Sequence, residues 1–251
     1  IKLYGEGRYN TFIDGMDEGT VIEFVSAAVI DTEIKHLTIQ NGLSTLYVSG
    51  LYILAEQVTI EDVRFTGNNG GQTIQASMGA SWSEDGLDQK HIFNNVEVMN
   101  NSGVGFSLLT GDYEINGSLA TGNDTQISMN DINSRLQIDH STIIANTDAD
   151  ENGIGFFGGG EIAITNSILF NNISFATDDD LDESDSFFNC GIDCSTSLSI
   201  DLSYNIVYPP PLEIFTFDEN IESDPLLNED YTLSFSSPAI NMGDPNAELD
   251  L

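Results

Sequence analysis

The chain has very few basic residues. Only 6 of its 251 residues are Lys or Arg, against 41 Asp or Glu, and the formal net charge is −35 at pH 7. A field of this sign repels polyanions and attracts cations. We therefore exclude nucleic acids and expect neither anionic membranes nor polyuronates as ligands. The acidity itself fits either calcium binding or adaptation to salty water.

Cysteine, tryptophan and long apolar runs are also scarce. The chain has 2 Cys and 1 Trp. No apolar run approaches the ~20 residues of a membrane-spanning helix, so we expect no direct membrane insertion. Cys190 and Cys194 lie four positions apart in one loop. A local disulfide between them fits an exported protein, whereas a zinc site would need further soft ligands nearby.

Several catalytic motifs are missing from the sequence. It contains no glycine-rich phosphate loop, no nucleophile elbow and no HExxH zinc motif, which excludes nucleotide enzymes, α/β-hydrolases and zincins. The hydrophobic content of 40% nevertheless indicates a folded protein with an acidic surface.

A short turn pattern recurs six times between residues 34 and 169. Each copy has an apolar residue at its first and last position and a turn residue at its third. The turn residues return every 22 to 33 positions and are His36, Asp62, Asn95, Gly117, His140 and Asn166. These residue types tolerate a left-handed backbone at low cost. The pattern predicts a tight bend between two short strands in each of a series of stacked repeats.

An asparagine follows three residues after the last apolar position of most copies. The set is Asn68, Asn101, Asn123, Asn146 and Asn172. Stacked repeats would place these amides one above another, where each can both donate and accept hydrogen bonds. Strand-like runs lie between the bends, at 45–48, 58–60, 103–108, 126–129 and 153–157. We predict two or three strands per repeat, stacked in parallel.

Three segments carry a family resemblance. They are the opening run from Leu3 to Gly15, the turn from Asn166 to Asn172, and the ending with Asp224-Pro-Leu-Leu and Ser237 to Pro245. Together they resemble secreted bacterial right-handed parallel β-helix proteins, which share the pectate-lyase-like superfamily fold. The ending is similar to the last coil before the sorting regions of type IX and choice-of-anchor surface proteins.

The resemblance implies an all-β fold, a right-handed parallel β-helix (β-solenoid) of about eight coils. We expect one domain over residues 1–251, with an irregular closing coil over about 205–251 that is rich in proline. The protein is expected to be secreted and attached to the cell surface through regions outside this chain. The same scaffold carries lyases, hydrolases, epimerases, adhesins and binding modules, so the fold leaves the activity open.

Two insertions interrupt the repeat, and we place candidate sites on both. The first covers about residues 69–91 and holds the only tryptophan. An exposed Trp beside carboxylates can stack on a sugar ring and bind its hydroxyls. The alternative is that this Trp packs back onto its own coil. The candidate ligand-binding residues are Trp82, Glu84, Asp85, Asp88 and His91.

The second insertion covers about residues 173–199 and is strongly acidic. Alternate carboxylates in such a loop can converge on calcium, which takes 6 to 8 oxygen ligands. A solvated acidic loop is the alternative, because the glycine and distal glutamate of an EF-hand loop are missing. The candidate calcium ligands are Asp178, Asp180, Asp182, Glu183 and Asp185.

Nothing in the sequence singles out a catalytic residue. With so many acids no carboxylate pair stands out, and the basic residues that a uronate lyase needs are scattered. His36 and His140 fall in the bend column, where a left-handed turn accounts for them. The function we expect is a noncatalytic binding or adhesion module that contacts a glycan or another cell-surface component. A glycan hydrolase or lyase acting on a neutral polysaccharide is the alternative, and a structural spacer or filament subunit is the third possibility.

The acidic insertion generates a prediction about calcium. Removing calcium with a chelator at fixed ionic strength is expected to lower the melting temperature, because an ion that binds only the folded state stabilises it by mass action. The variant Asp180→Asn with Asp182→Asn should lose this sensitivity. A melting temperature that follows ionic strength but ignores the chelator would contradict the site and favour salt adaptation.

Overall fold

A computed structural model of the protein describes residues 1–25, 32–55, 57–78, 90–131, 134–145, 152–156, 160–170, 188–190, 198–208 and 219–244. Within these ranges every regular element is a β-strand and no helix is present. The predicted all-β class is therefore confirmed for the described part of the chain.

The described residues form 21 strands. They are β1 (Lys2–Tyr4), β2 (Phe12–Asp14), β3 (Ile22–Val25), β4 (Thr32–Gln40), β5 (Leu43–Leu54), β6 (Val58–Thr66), β7 (Asn69–Ser77), β8 (His91–Asn94), β9 (Glu97–Met99), β10 (Ser102–Leu108), β11 (Asp112–Asn116), β12 (Leu119–Thr121), β13 (Thr125–Met129), β14 (Arg135–Asp139), β15 (Thr142–Ile144), β16 (Asn152–Phe156), β17 (Gly160–Thr165), β18 (Ile168–Phe170), β19 (Phe188–Cys190), β20 (Leu198–Ser203) and β21 (Ile206–Tyr208).

The strands form a 14-stranded sheet and a 7-stranded sheet, and each strand pairs in parallel with its counterparts in neighbouring repeats. The large sheet has two arms. The first arm orders β8, β11, β14, β17 and β20, and the second orders β9, β12, β15, β18 and β21. The two arms meet at β6, which continues through a bend. From β8 to β19 each repeat contributes one strand to each arm and one to the 7-stranded sheet, as the predicted parallel stacking requires.

The bend between the arms is formed by the predicted column of turn residues. All six have positive φ, between 48° for His140 and 60° for His36. Tyr204 and Glu219 extend the column, with φ of 58° and 66°. Neither residue type favours this conformation, so the stacking of the repeats imposes it there. Tyr204 is hydrogen-bonded to Glu219, which raises the pKa of Tyr204 to about 12.

The core is built from the apolar positions that flank each bend. These side chains form one column in each arm, and every member is at most 3% exposed. The first-arm column is Ile34, Ile60, Phe93, Ile115, Ile138, Ile164 and Leu202. The second-arm column is Ile39, Phe65, Val98, Ala120, Ile143, Leu169 and Val207. Phe93 meets Phe106 of the 7-stranded sheet edge to face, with ring centroids 5.3 Å apart. Burial of each large side chain contributes about 1.5–3 kcal/mol, so these columns hold the sheets together.

The predicted asparagine ladder is present where its residues are described. Asn101 Oδ1 accepts the backbone N–H of Asn68 at 3.0 Å and its side-chain N–H at 3.1 Å. Asn123 Oδ1 accepts the same two groups of Asn101 at 3.2 and 2.9 Å. The amides also donate to carbonyls of the preceding strands, such as that of Phe65. Asn146 and Asn172 lie outside the described residues.

A second ladder, which we did not predict, follows the bend column by one residue. Ser118 Oγ accepts the backbone N–H of Val96 at 3.0 Å, and Ser141 Oγ accepts that of Ser118 at 3.1 Å. Ser167, Asn205 and Asn220 continue the series with distances of 3.1, 2.9 and 2.7 Å. These buried side chains satisfy N–H groups at the bend, where regular strand pairing is interrupted.

The predicted bounds of both insertions need correction. Residues 69–77 form β7, which pairs with β5 and β10, so they belong to the sheet. Gly70 permits a close approach of β5 here, since a Cβ on it would lie 2.8 Å from the carbonyl oxygen of Ser44. His91 likewise opens β8. The second insertion contains β19, and β20 already begins at Leu198.

The asparagine ladder generates a stability prediction. Asn101→Ala should lower the free energy of unfolding by about 3 kcal/mol, because it leaves the backbone N–H of buried Asn68 without an acceptor and removes one of the two acceptors of the Asn68 side-chain amide. Asn116→Ala is the control, since its amide bonds Asn94 on the outer face. It should cost less than about 1 kcal/mol. Urea denaturation measures both, and equal losses would contradict a stabilising role for the ladder.

Candidate functional site

A groove of about 510 Å³ runs across the outer face of the first arm. It crosses β11, β14, β17 and β20 and is bounded at one side by Lys90. Its lining residues are Lys90, Asp112, Tyr113, Glu114, Arg135, Leu136, Gln137, Glu161, Ile162, Ala163, Ser199 and Asp201. A concavity of this size is large enough for a small ligand or for a few units of a polymer.

Strand alternation supplies the polar lining. Residues at alternate positions of each strand point outward, and parallel pairing aligns them into columns across the arm. One column stands three residues before each bend and contains Glu114, Gln137, Ala163 and Asp201. A second stands five residues before the bend and contains Asp112, Arg135, Glu161 and Ser199. Neighbouring members of a column are separated by the strand spacing of about 4.8 Å.

Both cations of the groove are neutralised by carboxylates of the neighbouring strand. Arg135 forms a two-pronged ion pair with Asp112, with Nε and Nη2 at 2.9 and 2.5 Å from the two carboxylate oxygens. The hydrogen bond to Asp112 raises the pKa of Arg135 further. Lys90 is ion-paired with Glu114. These pairs stiffen the groove and leave it without a free positive charge.

Polar groups without a partner line the remaining part of the groove. Gln137, Glu161, Ser199 and Asp201 are exposed, and no side-chain hydrogen bond joins any of them to another described residue. The pKa of Arg135 is raised mainly by its hydrogen bond to Asp112, and the negative charge of nearby Glu161 raises it to a smaller extent. The groove therefore presents an amide, a hydroxyl and two carboxylates to a ligand, on three successive strands.

Every basic side chain of the protein is committed to a carboxylate. All six Lys and Arg residues fall within the described ranges and each forms an ion pair. Outside the groove, Arg8 of the N-terminal loop lies 3.3 Å from both Asp62 and Glu97 and so joins neighbouring repeats. No Lys or Arg side chain therefore remains unpaired to attract an anionic ligand.

Asp139 and His140 form a structural network at the bend. His140 Nδ1 lies 2.8 Å from Asp139 Oδ2, while Asp139 Oδ1 accepts hydrogen bonds from Thr165 and Asn166 at 2.8 and 2.9 Å. Burial raises the pKa of Asp139, but the hydrogen bonds from Asn166, Thr165 and His140 lower it more. The Asn166 side chain in turn binds the backbone N–H of Asp244 at 2.7 Å. The carboxylate is thus occupied in joining repeats.

Most sequence-predicted site residues lie outside the described ranges. This applies to Trp82, Glu84, Asp85 and Asp88, to Asp178, Asp180, Asp182, Glu183 and Asp185, and to Cys194. Cys190 ends β19, but Cys194 is not described, so the proposed disulfide stays a prediction. Along the chain, the segment with Trp82 leads directly to Lys90 of the groove, and residues 191–197 lead directly into β20.

His91 is described, and it is a core residue. Its side chain is fully buried on β8 and stacks on Tyr113 of β11, with ring centroids 5.5 Å apart. Neither ring nitrogen has a hydrogen-bond partner of normal geometry. Burial lowers the pKa of His91 to about 4, although the Ser77 backbone favours the protonated form. Contact with a surface ligand would require the ring to leave this position, and its predicted binding role remains a prediction.

The described residues contain no cluster of three or more His, Cys, Asp or Glu side chains arranged to hold a metal. In the same part of the chain no helix could cross a membrane. Comparisons with protein-family models, with curated proteins and with solved structures found no match.

The groove residues were not predicted from the sequence, although a signal for them exists. Counting back three and five residues from each bend collects Glu114, Gln137 and Asp201 in one column and Arg135 and Glu161 in the other. Individually these side chains look like ordinary solvated charges. Only the register of the parallel strands shows that they face one concavity.

The burial of His91 generates a pH prediction. Its pKa is about 4 in the folded protein against 6.5 in the unfolded chain, so the unfolded state binds more protons between these pH values. The free energy of unfolding should fall by about 3 kcal/mol as the pH drops through this window. His91→Phe preserves the ring stack and should remove this loss.

The control for this experiment is His140→Asn, which changes an exposed histidine but keeps a residue suited to positive φ. It should retain the acid sensitivity of the parent protein. Urea unfolding at several pH values provides the comparison. Identical pH profiles for the parent and His91→Phe would show that His91 does not cause the loss.

Proposed function

We propose that the chain is a right-handed parallel β-helix of about eight coils with an irregular closing coil, and that it is a noncatalytic module that binds a neutral glycan. The parallel pairing of counterpart strands and the continuous bend column support the fold. The acidic composition and the resemblance to surface proteins support an extracellular, cell-surface setting with calcium bound by the acidic insertion.

The observation that carries the proposal is a groove rich in polar side chains that lack a hydrogen-bond partner among the described residues, in a protein whose Lys and Arg side chains are all ion-paired. Gln137, Glu161 and Asp201 offer oxygen and nitrogen atoms that suit sugar hydroxyls. Every Lys and Arg is ion-paired, so an anionic polymer would meet only carboxylates. A neutral polysaccharide satisfies both conditions.

The geometry of the columns favours an extended glycan that lies across the strands. Outward side chains repeat every ~4.8 Å along each column, which is about the length of one pyranose unit. Consecutive sugars could therefore meet equivalent positions on β14, β17 and β20. In the sequence, residues 79–89 directly precede Lys90, and residues 191–197 directly precede β20. Because Lys90 and β20 both contribute to the groove, we propose that Trp82 and the acidic residues next to it extend the site.

A glycan-active enzyme is a second candidate, and Glu161 and Asp201 are the observation that favours it. These exposed carboxylates lie on the neighbouring strands β17 and β20 and face the same groove. From strand spacing and rise, their backbones are separated by about 8 Å. Carboxylate pairs at about 5–10 Å can hydrolyse a glycosidic bond.

Blocking the groove tests the proposal. Ala163 faces outward at its centre, so Ala163→Arg should fill the cleft without disturbing the core and weaken binding of neutral oligosaccharides about tenfold or more, equivalent to at least about 1.4 kcal/mol. Thr59→Arg is the matched control, because Thr59 occupies the same column outside the groove. It should leave affinity unchanged.

The assay is a titration with neutral and acidic oligosaccharides in calcium, with released ends scored in the same samples. Equal binding by Ala163→Arg, Thr59→Arg and the parent protein would contradict the groove as the site. If the parent protein releases new reducing ends and Glu161→Gln does not, the protein is a glycan-active enzyme and the proposal of a noncatalytic binding module is wrong.

A further inference from the structure

A second concavity lies on the other sheet, across β3, β5 and β7. Its volume is about 620 Å³. The lining residues are Gly19, Thr20, Glu23, Ser44, Tyr47, Val48, Tyr52 and Gln75. None of them lines the first-arm groove, so the two concavities are separate.

The floor of this concavity is a row of three outward side chains. Glu23, Tyr52 and Gln75 are aligned by the parallel pairing of β3 with β5 and of β5 with β7. Their neighbours along β5 and β7, such as Leu51 and Ile74, are fully buried. The row therefore rests on the core, and an aromatic ring lies between a carboxylate and an amide.

A break in strand register presents another aromatic ring at the edge of this row. The pairing of β5 with β7 steps from Ser44↔Gly70 to Val48↔Gln72, and Tyr47 lies within the step. Its side chain is 71% exposed. Such irregularities redirect a side chain away from the regular face of a sheet, and they are common beside binding sites.

The irregular segment is held firmly in place. Ser44 Oγ accepts the backbone N–H of Tyr47 at 3.1 Å, and Thr20 Oγ1 donates to the carbonyl of Val48 at 2.6 Å. Gly70 packs closely beneath it, since a Cβ there would lie 3.0 Å from the carbonyl oxygen of Tyr47. The backbone that presents this tyrosine is thus positioned in advance of any ligand, which limits the entropy lost on binding.

The chemistry of the lining favours a neutral saccharide. Tyrosine rings stack on the C–H faces of pyranose rings, while Gln75 and Glu23 can bind the hydroxyls. The lining contains one carboxylate and no cation, and every Lys and Arg is paired elsewhere. An anionic ligand would be repelled.

We propose that this concavity, the tyrosine site, is a second binding site for a neutral saccharide, with Tyr47 and Tyr52 as its stacking platforms. It shares no residue with the groove and does not depend on glycan binding there. Sites on two different sheets allow one protein molecule to hold two glycan chains or two parts of one chain, which raises the overall avidity.

The test is carried out in the Ala163→Arg background, where the first-arm groove is closed. Cellohexaose, xylohexaose and mannohexaose are titrated by calorimetry, and residual binding to at least one is expected. Tyr47→Ala or Tyr52→Ala should weaken that binding about 3- to 10-fold, the usual contribution of a stacked aromatic ring. Tyr47→Phe should keep it.

Phe235→Ala is the matched control, because Phe235 is fully exposed and lies outside both sites. It should leave binding unchanged, and urea midpoints identify any variant that fails to fold. The proposal is overturned if the Ala163→Arg protein binds none of the three sugars, or if residual binding survives loss of both tyrosines. Binding of tetramethylammonium that depends on Tyr47 and is not accompanied by sugar binding would overturn the saccharide assignment.

The same variants separate the two sites. If Ala163→Arg leaves affinity intact while Tyr47→Ala weakens it about 3- to 10-fold, the groove fails and the tyrosine site holds. If Ala163→Arg abolishes all binding, the tyrosine site fails and the groove holds.

Discussion

The fold depends on hydrogen bonds that backbone N–H groups donate to buried or half-buried side-chain oxygens, at the five bends from Asn95 to Tyr204. A left-handed residue such as His140 or Asn166 interrupts strand pairing, and the next N–H would lack a partner in the dry interior. A serine or asparagine from the following repeat accepts it, as Ser167 does for Ser141. Because each acceptor belongs to the next repeat, the ladders also fix the register between repeats. All other features of the sheets follow from that register.

The register between repeats determines which surface side chains lie side by side, and so which of them line a common concavity. Alternation places one set of side chains in the core and the other outside, so identical positions in successive repeats form columns. In the first arm these columns bring Asp112 against Arg135 and leave Glu161 and Asp201 free to meet a ligand. The six Lys and Arg side chains are all ion-paired with carboxylates. A protein with a large negative charge thereby retains grooves that offer hydrogen-bonding groups and hold no free Lys or Arg.

The sequence was sufficient to predict the all-β class, the parallel stacking and the column of bends, because bends demand particular residue types. His36, Asp62 and Asn95 were recognisable for that reason, and the asparagine ladder followed from its spacing. Tyr204 and Glu219 were not recognisable, since the stack and not their own preference sets their backbone. The serine ladder could not be predicted because a single serine carries no signature. The two concavities could not be predicted because the columns that line them exist only after folding. His91 looked accessible from its place beside a loop, yet pairing of β8 with β11 turns it into the core.

The central claim is that the first-arm groove binds an extended neutral glycan. The most direct measurement is a crystal structure of the protein with a neutral hexasaccharide selected by titration. The account predicts sugar rings lying across β14, β17 and β20, hydrogen-bonded to Gln137, Glu161 and Asp201. The claim would be contradicted if the groove is empty in these crystals while the sugar is bound at another surface of the protein.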